Sequence, residues 1–195
     1  MCIRDRFQPG TPGVGLVIKA THAPKEELDK LRRLLAGYDN IYFLTDSYSK
    51  IQFNSLVACC DVFVSLHRAE GFGLVMAEAM LLETAVIATN WSANTEFMNP
   101  DVAFLVDAAI TELRSTSFPY LKGTHWSEPD ESQASNYMRQ IYQNPSSAKV
   151  KATQARAYIM QKLSKKSAAE RIEKRLYEIQ KMFHSTRGNA GGESS

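Results

Sequence analysis

A short apolar run, Asp61-Val62-Phe63-Val64-Ser65-Leu66, leads through Gly71-Phe72-Gly73 into Leu74-Val75-Met76-Ala77-Glu78-Ala79-Met80-Leu81. The run is bounded by polar residues and reads as a buried strand. The stretch from Leu74 is rich in helix formers and apolar nearly all round, so it reads as a buried helix. A strand, a glycine turn and a buried helix leave unpaired backbone N–H groups at a helix N-terminus, suited to an anion such as a phosphate. Glu70 stands just before the turn and Glu78 within the apolar helix. A carboxylate in such a helix needs a partner, because an unpaired buried charge is very costly. A pair of sugar hydroxyls beside a phosphate supplies one.

The rest of the chain repeats this alternation. Residues 15–20 and 41–44 read as strands, 24–35 and 51–60 as helices, and 84–89 and 102–106 as two further strands. Strands alternating with helices imply βαβ units and right-handed crossovers. The expected fold is α/β: a Rossmann-like parallel sheet of about five strands with flanking helices and a helical C-terminal region. Residues 108–130 carry Pro119, Gly123 and Pro129 and read as a long ordered excursion without regular structure, followed by helices at 131–143, 146–162 and 165–184. Residues 185–195 are rich in glycine and serine and read as a disordered tail. Residues 1–14 lack periodicity and end in a Pro/Gly cluster, so they read as disordered or artefactual, leaving 15–184 as one domain.

Composition narrows the function classes. A net charge of +2 gives no argument for nucleic acid. No apolar run approaches the length of a membrane span. Cys2, Cys59 and Cys60 form neither a disulfide framework nor a metal-ligand spacing, which points to a reducing cytoplasm. Lys162, Lys165, Lys166, Arg171, Lys174 and Arg175 read as a solvated face, with weak attraction to a membrane surface as the minority alternative. There is no Asp-x-Asp, no Walker loop, and the histidines at 22, 67, 125 and 184 are scattered, so neither a cofactor nor a metal is expected.

Glu70 and Glu78, with seven residues between them around Gly-Phe-Gly, resemble the E-x7-E motif of retaining nucleotide-sugar glycosyltransferases of the GT-B fold, family four, group one type. Residues 61–65, 85–92 and 123–130 resemble further family segments, and together the likeness covers roughly residues 15 to 183. It implies the C-terminal, donor-binding half of an enzyme that moves a sugar from a nucleoside-diphosphate sugar to an acceptor hydroxyl with retention. Glu78 is then expected on the ribose hydroxyls and Glu70 on the transferred sugar, steadying charge at its anomeric carbon. Backbone N–H groups of Gly71, Phe72, Gly73 and Leu74 are expected on the diphosphate, and Arg68 either on phosphate or on Glu70.

His67 reads as a structural histidine, Lys19 as a strand-end lysine near the phosphates or in solvent, and residues 90–94 as a loop bordering the sugar pocket. Relatives often carry glycine where Ala93 stands. An N-terminal acceptor domain and a cationic pair just upstream are expected elsewhere, so the chain alone is expected to be inactive. In relatives the final helix returns to that domain. The stripe Ala168, Ala169, Ile172, Leu176, Ile179 and Phe183 is accordingly expected to be partly exposed. A stand-alone nucleotide-binding or interaction module is the alternative, and a sugar-nucleotide epimerase a weaker third.

Overall fold

The computed structural model describes residues 11–116 and 119–188, with side chains through Met182. Five parallel strands lie where the alternation places them: β1 (Leu16–Lys19), β2 (Ile41–Leu44), β3 (Val62–Ser65), β4 (Ala85–Thr89) and β5 (Phe104–Val106). Helix α1 (Lys25–Leu34) joins the first pair, α2 (Lys50–Ala58) leads to β3, and α3 (Leu74–Leu81) joins β3 to β4. Three helices close the chain: α4 (Glu131–Gln143), α5 (Pro145–Lys162) and α6 (Lys165–Gly188).

The α/β class is as expected, but the strands divide into two ladders. β1 pairs with β2, while β3, β4 and β5 form a separate parallel sheet in that order. Burial follows the division. Every residue of β4 is buried, as befits a central strand covered on both faces. β1 and β2 are only half-buried, with Val17 and Tyr42 exposed.

The core is built around β4. Val86 and Ala88 face a cluster containing Val57, Met76, Met80, Phe97 and Ile159. Ala85 and Ile87 face the opposite cluster with Phe104, Val106, Ile141 and Ala152. Alternation along one strand thus serves two cores. Helix α5 lays Ala148, Ala152, Ala155 and Ile159, all buried, along one side at helical spacing. Small side chains there let the helix approach α3 and β4 closely.

Helix ends follow local chemistry. Ser49 and Gln52 form a capping box at α2. The Asp130 carboxylate accepts from the N–H groups of Ser132 and Gln133 to start α4. Beyond α3, Glu83 takes the left-handed conformation at φ 55°. Its carboxylate pairs with Arg156 and Lys149 of α5. The hydrogen bond from Arg156 and then that from Lys149 hold its carboxyl below the usual range.

Three expectations require correction. The excursion is not irregular: β6 (Ala108–Glu112) and β7 (His125–Pro129) form an antiparallel hairpin. Its prolines and glycine mark the connection and the strand end, where they cost the ladder nothing. Residues 11–14, placed in the disordered N-terminus, form a turn held by Asn40 and Tyr142, whose side chains donate to the carbonyls of Val14 and Pro12. Helix α6 continues to Gly188, past its expected end at 184. The remainder of both terminal expectations, residues 1–10 and 189–195, lies outside the described residues. The described part of the α6 stripe is partly exposed, as expected, with Ile172 and Leu176 open to solvent and Ile179 half-buried.

Candidate functional site

β3 ends at Ser65, and the segment from Leu66 to Gly73 crosses its C-terminal end before α3 begins. In parallel sheets this is the end that holds ligands. Gly73, the N-cap of α3, has φ 92°. A Cβ there would lie 2.7 Å from Met76 Cε, 3.2 Å from Phe97 Cζ and 3.3 Å from Asn94 Cβ. Glycine is required at this position twice over, for its backbone conformation and for space. Gly71 has open space around its Cα and no such constraint. The half-exposed ring of Phe72 packs at 5.3 Å on the buried ring of Phe97, which anchors the turn to the core.

The turn is held from two sides. On one, the Ser92 hydroxyl donates to the Glu70 carbonyl at 2.5 Å. Ser92 itself sits at φ 76°, ψ −161°, a region open essentially to glycine, so strain is stored beside the site. His67 Nε2 faces two acceptors, the Trp91 carbonyl at 3.0 Å and Asn94 Oδ1 at 3.2 Å. It is therefore the donating nitrogen, and Nδ1 takes the Ser65 hydroxyl at 3.2 Å. The fully buried Asn94 donates to the Thr89 carbonyl at 3.0 Å, tying this loop to the end of β4. On the other side stands the hairpin. The Ser127 N–H and hydroxyl of β7 both donate to the Arg68 carbonyl, at 3.0 and 3.1 Å.

Each expected site residue has a defined position. Glu70 Oε1 accepts from Gly73 N–H at 2.9 Å and Phe72 N–H at 3.3 Å. The carboxylate therefore caps the very amides expected to meet a diphosphate. Leu74 opens α3 with its side chain exposed.

Arg68 does not pair with Glu70. Its guanidinium stacks over the Trp126 ring at 5.3 Å, and Glu128 holds it through two hydrogen bonds, Nε donating at 2.8 Å. The Arg68 hydrogen bond draws the Glu128 carboxyl below its usual range.

Glu78 Oε2 is buried and makes no hydrogen bond, but the Lys50 ammonium lies against it as an ion pair. Lys50 is the first residue of α2, where the helix dipole disfavours a cation, and Glu78 compensates. Lys19 is tied down elsewhere, by the Thr21 hydroxyl and the Asp46 carbonyl, beside the Tyr48 ring.

Lys50 was not singled out from the sequence, and Ser92 and Glu128 entered only as members of the segments 90–94 and 123–130. Lys50 directly follows a capping serine after β2, a signal that marks it as a strand-exit residue. Within those segments no local pattern sets Ser92 or Glu128 apart from its neighbours. Among the described residues no group of three metal-ligating side chains converges. No described helix is long and apolar enough to cross a membrane.

In fold the chain is similar to HepE of Anabaena, solved with UDP: 20% identity, TM-score 0.63, covering 86% of this chain and 42% of that one. It is also similar to sucrose-phosphate synthase of Thermosynechococcus elongatus, at 18% identity, TM-score 0.60, and 87% and 39% coverage. A third likeness is to the C-terminal domain of LpcC, a glycosyl transferase group 1 family protein of Francisella tularensis. There the identity is 22%, the TM-score 0.53, and the coverage 71% and 61%. The chain thus spans less than half the length of the first two proteins. No curated protein sequence matches it. The model of the family described as glycosyl transferases group 1 matches residues 11–115. That is more than half of the sequence, and it covers both glutamates with the strand, turn and helix that position them: the chain belongs to glycosyl transferases group 1.

Proposed function

We propose that this chain is the C-terminal, donor-binding half of a retaining glycosyltransferase that takes a nucleoside-diphosphate sugar. The observation that carries the reading is the turn Glu70–Gly73 at the strand end, opening onto α3, with Glu78 on that helix and its carboxylate charged against Lys50. Solved structures of the similar fold hold UDP and UDP-glucose in HepE, which supports a uridine-type donor among those to test first.

In this reading the ribose hydroxyls displace Lys50 and donate to Glu78. Charge-assisted bonds to a carboxylate are about twice as strong as neutral ones. The diphosphate meets the N–H groups and the positive end of the α3 dipole, which stabilise it as the leaving group without a metal. The acceptor comes from a second domain that closes over the donor, and the chain alone transfers no sugar. Positioning of acceptor and donor supplies about 7–11 kcal/mol of barrier reduction in such reactions.

Calorimetric titration with nucleoside diphosphates tests the donor site. Glu78→Ala is expected to weaken binding by about 1.5–3 kcal/mol, the range for hydrogen bonds to a charged group. Undiminished affinity in the variant removes Glu78 from the ribose.

A further inference from the structure

Glu70 occupies the anion site of its own protein. Its Oε1 takes both Phe72 N–H and Gly73 N–H, at 3.3 and 2.9 Å, so the amides at the entry to α3 already face a negative charge. A diphosphate oxygen on the same amides would lie against that carboxylate, and like charges at such separation repel. Arg68, two residues before Glu70, is engaged by Glu128 and Trp126. The backbone beneath is fixed, because the Ser92 hydroxyl holds the Glu70 carbonyl and Gly73 is locked between Met76, Phe97 and Asn94. The half-buried side chain is the movable part.

We propose that Glu70 is a specificity-determining gate that fills the amide cradle of the free protein and discriminates an intact nucleotide sugar from a bare nucleoside diphosphate. The proposal rests on the donor-binding reading above. An incoming diphosphate must expel the carboxylate from the amides. With an intact donor, the expelled carboxylate gains hydroxyl partners on the sugar, which offset the two bonds it gave up. With a spent nucleoside diphosphate it gains none, and it competes to return to Phe72 and Gly73. The same residue then serves the donor and clears the product. A ligand that needs a conformation populated only in part binds more weakly by that fraction.

The test is calorimetric titration of the full chain and two variants, Glu70→Gln and Glu70→Ala, with inorganic diphosphate and with UDP, GDP and ADP. Glu70→Gln keeps the shape and removes the charge; Glu70→Ala removes the cap altogether, and thermal unfolding verifies that both fold. Both variants are expected to bind inorganic diphosphate and the preferred nucleotide about tenfold more tightly, the gain for a cradle that Glu70 fills about nine-tenths of the time. Detectable binding by the variants with none by the parent supports the gate equally. Equal or weaker binding by both folded variants overturns it, since the diphosphate then uses the cradle without displacing Glu70. In that case the donor site still stands if Glu78→Ala weakens the nucleotide. Should parent and variants alike bind no nucleotide and no diphosphate, gate and donor site fall together.

Discussion

Gly73 carries two constraints that a single methyl group exposes. Alanine at φ 92° costs on the order of 1–2 kcal/mol in backbone strain. Its Cβ would also press on Phe97 and Asn94, and overpacking costs roughly 1–3 kcal/mol more. Gly73→Ala is therefore expected to lower stability by about 2–5 kcal/mol in urea unfolding. Gly71→Ala, two residues away in open space, is the internal control and is expected to change stability little. Equal effects at both positions would mean that the turn is not locked as described. Glu70 and Glu78 were legible in the sequence because an ionisable residue beside a glycine turn or inside an apolar helix demands a partner. The side chains that pair with Glu78 and with Arg68 were not. Lys50 and Glu128 come from other elements, and Glu128 lies 60 residues from Arg68 in sequence, where no local pattern connects them.

The hairpin β6–β7 was the element least legible in the sequence. Most side chains of β6 are exposed, so it shows no alternation of apolar and polar residues to betray a strand. Proline and glycine in the connection then outweighed the alternation in β7, where Ser127 and Pro129 point inward. The five parallel strands were legible because each is a short apolar run, whereas their division into two ladders depends on pairing, which no single strand encodes.

Once formed, the hairpin bears on the site through Ser127 and through the Arg68–Glu128 pair. The Glu128 carboxyl is held low in the folded chain, chiefly by the Arg68 hydrogen bond. The pair's contribution is therefore present above the ordinary carboxylate range and lost as pH falls through the depressed value. With both side chains about two-fifths exposed, it is worth no more than about 1 kcal/mol. Glu128→Gln is expected to remove that much stability at neutral pH and nothing at strongly acid pH, measured by urea unfolding across the range. A constant difference at every pH would place the effect in packing rather than in the ion pair.

At the scale of the whole molecule, the buried centre and the open periphery have different roles. β4, α3 and α5 form a close-packed centre that fixes the turn at the end of β3. β1, α1 and β2 stay half-buried, and α6 carries its apolar side chains into solvent. In the proposed reading nucleotide binding lies at the strand ends beside the buried centre, which can be mapped residue by residue. Amide chemical shifts of the isotope-labelled chain, followed during titration with the nucleoside diphosphate that binds best, test the central claim most directly. The account predicts that the largest changes fall on Phe72, Gly73, Leu74 and Val75, with a second group at Ser49 and Lys50 as the pair with Glu78 opens. Changes centred instead on the hollow between Phe104, Tyr137 and Lys151, with Phe72–Val75 unmoved, would contradict it.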